Sequence, residues 1–180
     1  IANVGVNPSR TGLLDILRLM GARIDVVSPR LAGDEPAADL VVHPGPLAGI
    51  EVPQALVPLA IDEFPVLFVA AALAEGETRV SGAAELRVKE SDRIAVMAEG
   101  LTALGAEAEA LPDGMRIRGG RLSGGRVDSH GDHRIAMSFA VAASRAEGEL
   151  RIDDVANVAT SFPGFLDVAA AAGLDVQGLT

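Results

Sequence analysis

Apolar positions along this chain recur with helical spacing, stop at a glycine, and resume with the two-residue alternation of a strand. Leu13 to Met20 is one such run: Gly21 ends it and Ala22-Arg23-Ile24-Asp25-Val26-Val27 alternates after it. Ile94 to Leu104 behaves the same way before Gly105 and Ala106–Ala110, as does Phe165 to Ala172 before Gly173 and Leu174-Asp175-Val176. A glycine there supplies the left-handed backbone that closes many helices. A tighter repeat links Ala74-Glu75-Gly76-Glu77-Thr78-Arg79-Val80 to Ala146-Glu147-Gly148-Glu149-Leu150-Arg151-Ile152, and again a helix, a glycine stop and a strand are expected.

The fullest copy predicts a helix over 64–75, a strand over 77–81, a helix over 92–104, a strand over 106–110, a turn at Pro112-Asp113-Gly114 and a strand over 115–118. Gly119 to Gly125 reads as a loop, and Pro44, Pro46 and Pro53 punctuate the join to the preceding copy. The fold class is therefore α/β, or α+β by some schemes. A β-α-β-α-β-β unit is repeated within one domain spanning 1–180, with copies at about 1–58, 59–125 and 126–180 and the outer two incomplete.

Composition sharpens this outline. In 180 residues that are 49% hydrophobic there is no Trp, no Tyr and only five Phe, so the core is built from Ala, Val, Leu and Ile. The most apolar stretch, Val66–Leu73, reads as a buried helix and falls far short of the ~20 residues needed to cross a bilayer. A net charge of −10 argues against nucleic acid as a partner. The absence of cysteine fits a reducing compartment such as the cytoplasm. The chain starts at Ile1 without a basic leader, and the functional unit is expected to be larger than these residues.

In an acidic protein the informative question is where cations cluster. Lys89 is the only lysine among fifteen basic residues, and it lies in Arg87-Val88-Lys89-Glu90-Ser91-Asp92-Arg93, just before a helix with Ile94, Met97, Leu101 and Leu104 on one side. A second cluster, Asp128-Ser129-His130-Gly131-Asp132-His133-Arg134, opens the apolar helix Ile135–Arg145, with Asp132 or Ser129 placed to cap it. His133 and Arg134 oppose the helix dipole there, an arrangement a sequence tolerates where cations are recruited for a ligand. Two His and two Asp within seven residues raise metal binding, but His-x-x-His matches no strong ligand pattern, so no metal is expected. A third site, Asp62-Glu63-Phe64-Pro65, precedes the helix at 66: one acid serves as a cap and the other is left for catalysis. Thr11, Ser91 and Ser161 are candidate caps of the three related helices. Alone, Arg87–Arg93 is better explained as a solvated charged helix cap, and Asp62-Glu63 is explained equally well as the cap of a buried helix. Together, helix starts from successive units that met on one face would form an amide-rich, positive pocket suited to a small phosphate ester.

Four segments in order resemble signatures of the EPSP synthase family, the 3-phosphoshikimate 1-carboxyvinyltransferases. They are Asp62-Glu63-Phe64-Pro65-Val66-Leu67, Leu86–Arg93, Asp132-His133-Arg134-Ile135-Ala136-Met137 and Thr160-Ser161-Phe162-Pro163. Asn7-Pro8-Ser9-Arg10-Thr11-Gly12 resembles the start of the family's C-terminal half, in its glyphosate-tolerant branch. The resemblance implies an enolpyruvyl-transferase domain of three β-α-β-α-β-β units about a pseudo-threefold axis, an inverse α/β barrel, with a second such domain absent here. It implies transfer of the enolpyruvyl group of phosphoenolpyruvate to the 5-hydroxyl of shikimate 3-phosphate, without metal or organic cofactor.

By the same resemblance Asp62 is the base for the 5-hydroxyl and a phosphoshikimate ligand. Lys89 contacts the substrate and shares in proton transfer, and Glu90 protonates the methylene carbon. Arg93 and Arg134 hold phosphoenolpyruvate and His133 supports that pocket. Many members carry a lysine where this chain has Thr160, and the family is more than twice as long. The absent part holds a Ser-Lys-Ser segment, a further arginine and most phosphoshikimate contacts. Two other expectations compete: a UDP-N-acetylglucosamine enolpyruvyl transferase of the same fold, and a non-catalytic anion-binding domain.

Overall fold

The computed structural model describes residues 1–178. Its elements run β1 (Val4–Gly5), α1 (Gly12–Leu19), β2 (Arg23–Ala32), β3 (Glu35–His43), α2 (Phe64–Ala72), β4 (Glu77–Val80), α3 (Arg93–Ala103), β5 (Glu107–Leu111), β6 (Gly114–Arg118), β7 (Ser123–Asp128), α4 (His133–Ala143), β8 (Glu147–Asp153), α5 (Ala156–Ser161) and α6 (Phe165–Ala171). The strands form an antiparallel sheet β1-β3-β2, an antiparallel sheet β4-β6-β5 and a parallel pair β7-β8. Parallel bridges from Ala48 to Glu75 and from Glu51 to Arg79 lay residues 48–51 along β4. The middle of the chain is thus a complete unit: the 48–51 segment, α2, β4, α3, β5 and β6.

Helix α2 is apolar on every side (Phe-Pro-Val-Leu-Phe-Val-Ala-Ala-Ala), which suits a helix buried all round. It packs on α3, α4 and β6, with Phe64 and Phe68 fully buried. On α3, Ile94, Met97 and Leu101 are fully buried, and Leu104 caps the same stripe. Gly100 lets α4 approach closely, since a Cβ there would sit 2.3 Å from the Phe139 ring. This packing of α2, α3 and α4 is what brings their N-termini together.

Several expectations are corrected by the structure. Gly21, Gly105 and Gly173 follow the last turns of α1, α3 and α6 with positive φ, as the pattern predicts. Gly148, in contrast, lies inside β8 and ends no helix. Part of the glycine stretch expected to be a loop is strand β7, because a Cβ at Gly124 would come within 2.5 Å of the Glu149 carbonyl oxygen. Glycine there serves close strand approach. Residues 28–43 complete a long β2–β3 hairpin turned at Gly33-Asp34. Leu174–Val176 forms no strand: the Leu174 amide donates back to Ala169 and finishes the end of α6.

The caps also differ from expectation. Asp92, and not Ser91, caps α3 by accepting from the Ala95 amide at 3.0 Å. Thr11 stands at the cap of α1 without a side-chain bond to it, and Ser161 is the last residue of α5, leaving Gly164 to precede α6. Asp132 does cap α4, accepting from the Arg134 amide at 2.9 Å.

Candidate active site

Three chain segments supply the charged seam. The first is the 3-10 turn Ile61–Glu63 ahead of α2, where Glu63 stands at the cap position but makes no capping bond. Both acids of this turn are therefore free to face other elements. The second is the 3-10 turn Ala84–Val88, which runs into Lys89 and the start of α3. Arg87 pins it by donating to the carbonyls of Leu111 and Pro112 and to Asp92, tying the β5–β6 turn to the helix cap. The third is the start of α4.

These segments meet around Asp62. Lys89 Nζ and Arg93 Nη1 each lie 3.6 Å from Asp62 Oδ1, and Arg134 Nη2 lies 3.7 Å from Oδ2. Arg134 Nη1 also donates to the Asp62 carbonyl at 3.0 Å and sits 3.9 Å from Glu63 Oε1. Three cations from two helix starts thus surround one carboxylate without clamping it, because none of the three carboxylate contacts is within hydrogen-bond range.

Arg93 is the centre of the seam. Its side chain is 1% exposed and Asp132 is fully buried, so this is an ion pair withdrawn from water. Asp132 accepts from Arg93 Nε at 2.8 Å and from Nη2 at 3.4 Å, and from the Ser91 hydroxyl at 3.1 Å. Glu90 accepts from Arg93 Nη2 at 2.6 Å, whereas buried Nη1 has no hydrogen-bond partner among the described residues. Burial alone would push the Asp132 carboxyl up, but the Arg93 guanidinium, the Arg134 amide and the Ser91 hydroxyl outweigh it and hold Asp132 below the ordinary value near 3.8. Lys89 donates to Glu85 at 2.5 Å, and that bond raises it above the ordinary 10.5, with the Asp62 carboxylate adding to the effect. Lys89 is thereby kept a cation.

Of the residues singled out from sequence, Asp62, Lys89, Glu90, Arg93 and Arg134 come together here. His133 opens α4, half-buried, and enters none of these ion pairs among the described residues. Sequence reasoning missed Glu85 and saw Asp132 and Ser91 only as caps. Glu85 carried a signal in its four-residue spacing from Lys89. The seam sets three cations and two helix N-termini, groups able to hold anions, beside the carboxylates of Asp62 and Glu90, groups able to exchange protons.

The sequence profile of the EPSP synthase family (3-phosphoshikimate 1-carboxyvinyltransferase) matches residues 1–169. The chain belongs to the EPSP synthase family. It is 66% identical to the 3-phosphoshikimate 1-carboxyvinyltransferase of Alkalilimnicola ehrlichii over 97% of its own length and 39% of that protein's. It is 59% identical to the enzyme of the same name from Methylococcus capsulatus, over 98% of this chain and 40% of the relative. Among solved structures, EPSP synthase from Acinetobacter baumannii superposes with a TM-score of 0.92 at 52% identity, over 95% of this chain and 40% of that one. The enolpyruvyl transferase NikO from Streptomyces tendae superposes at 0.68 with 24% identity, over 93% of this chain and 36% of that one, a likeness of fold alone. The fold is therefore that of an enolpyruvyl-transferase domain. The chain spans about two-fifths of the length of the EPSP synthases it matches.

Proposed function

We propose that this chain supplies one wall of the active site that joins phosphoenolpyruvate to shikimate 3-phosphate, releasing phosphate. The single observation that carries the reading is the convergence of Lys89, Arg93 and Arg134 on Asp62. In this reading Asp62 takes the proton from the 5-hydroxyl as its oxygen attacks C2 of phosphoenolpyruvate. Glu90 delivers a proton to C3, giving a tetrahedral adduct. Loss of a C3 proton and of phosphate from that adduct completes the transfer. Arg93 and Arg134 offer planar forks to the carboxylate and phosphate of phosphoenolpyruvate. Lys89, held as a cation by Glu85, suits an anchor and proton donor better than a base. His133 is assigned support of the pocket, the role its place in the first turn of α4 allows.

We read the 180 residues as one repeated domain with units at about 1–58, 59–125 and 126–180, and the pairing of 48–51 with β4 supports starting the second unit nearer 48. The other domain of the family, cytoplasmic placement and membership of the glyphosate-tolerant branch belong to the same proposal. Asn7-Pro8-Ser9-Arg10-Thr11-Gly12 and Thr160 support that branch.

The test is product formation from both substrates by the complete protein and by the 180-residue chain. The complete protein is expected to release phosphate and the chain alone is not. Glu90→Gln in the complete protein should lower kcat at least ~10²-fold, the usual scale for loss of a general acid. Turnover with UDP-N-acetylglucosamine in place of shikimate 3-phosphate, or undiminished turnover by Glu90→Gln, would overturn the reading.

A further inference from the structure

The Arg93 guanidinium has two edges on which a planar anion can dock with two oxygens. Asp132 fills the edge formed by Nε and Nη2. The end edge, formed by Nη1 and Nη2, is half filled: Glu90 Oε2 holds Nη2 at 2.6 Å, and buried Nη1 is left without a hydrogen bond among the described residues, 3.6 Å from Asp62 Oδ1. The two carboxylates on Arg93 also differ in mobility. Asp132 is fully buried and held by Ser91 and the Arg134 amide as well, whereas Glu90 is 51% exposed and its carboxylate bonds only to Arg93 among the described residues. A ligand cannot displace Asp132 without opening the α3–α4 junction, but it can displace Glu90 by a side-chain rotation.

We propose that Glu90 is a built-in competitor for the Arg93 anion subsite and so a determinant of its specificity. In the free protein its carboxylate stands where one ligand oxygen will sit. A ligand gains only by adding a second oxygen, on Nη1, that Glu90 does not supply. The subsite therefore selects carboxylates and phosphates able to bridge Nη1 and Nη2, and it discriminates against single-point anions such as chloride. Displacement also swings the Glu90 carboxyl off the guanidinium and frees it to face the bound ligand. This inference deepens the proposed function and rests on it for the identity of the ligand.

The test is equilibrium binding to the complete protein, wild type against Glu90→Ala, by calorimetry. Phosphoenolpyruvate is titrated without a second substrate, so that no turnover intervenes, and inorganic phosphate serves as an independent probe. Because Glu90 is exposed, the variant is expected to fold. Removing the competitor should tighten both anions about fivefold, the upper range for release of an exposed ion pair. Chloride, a poor competitor against the wild type, should compete measurably in the variant. Equal or weaker phosphate binding by Glu90→Ala, or no phosphate binding at all, overturns the proposal. Failure of phosphoenolpyruvate to bind either protein while phosphate binds would instead remove the functional reading, and the phosphate comparison would still decide this inference.

Discussion

Two parts of the molecule carry dense networks of ion pairs, and they differ in almost everything else. On the β4-β6-β5 sheet, Arg116 and Arg118 ladder with Glu77, Glu107 and Glu109 across neighbouring strands. Every member of that ladder is between 40% and 78% exposed. At the seam, Arg93 and Asp132 are 1% and 0% exposed, and their contacts join helix starts 39 residues apart. Both networks pair arginines with carboxylates, but solvent screens the ladder and leaves each of its pairs weak. The Arg93–Asp132 pair is withdrawn from water, where removing one partner strands the other charge at a cost of about 3–5 kcal/mol. The ladder shields an exposed sheet surface; the seam fixes a geometry.

The largest expected difference follows from deleting one carboxylate in each region. Asp132→Ala should lower unfolding stability by about 3–5 kcal/mol in urea titration, and Glu109→Ala by under about 1 kcal/mol. Equal losses would erase the distinction drawn between the two regions. A smaller effect should appear on acidification. The folded-state pKa of Asp132 is depressed, so its contribution is full above the unfolded value near 3.8 and is lost as pH falls through the folded value. The stability gap between wild type and Asp132→Asn should accordingly narrow below about pH 4; a gap that widens there would contradict the assignment. The smallest effect concerns Lys89. As the only lysine in the chain it gives a single side-chain NMR titration. Glu85→Gln should bring that titration back down toward 10.5, and an unmoved curve would show that the short bond to Glu85 does not hold the ammonium charged.

The same contrast explains what could be read from sequence. Helices α3 and α4 and their apolar faces were legible because Ile94, Met97 and Leu101 repeat within a single element. The glycine stops at Gly21, Gly105 and Gly173 were legible for the same local reason. Most of the β2–β3 hairpin was not: β2 exposes nearly every residue after Ile24, so its second half carries no apolar alternation. Gly124 reads as a loop residue from sequence because the Glu149 backbone that forbids a side chain there lies 25 positions further along. Candidate site residues were legible as charges at helix starts. Their partners were not, since Asp132 reveals its second role only when α3 and α4 have packed.

That Arg93–Asp132 contact has a consequence for how the protein comes apart. Asp132 at once closes the first turn of α4 and neutralises a charge buried at the first turn of α3, while Arg93 and Arg134 both lean on the turn that starts α2. Fraying the start of α3 or of α4 would leave the buried charge of the other without its partner. Such ends cannot open singly as helix termini ordinarily do. Their amides belong to one cooperative unit, and the most polar part of this domain is expected to be among the last to admit solvent.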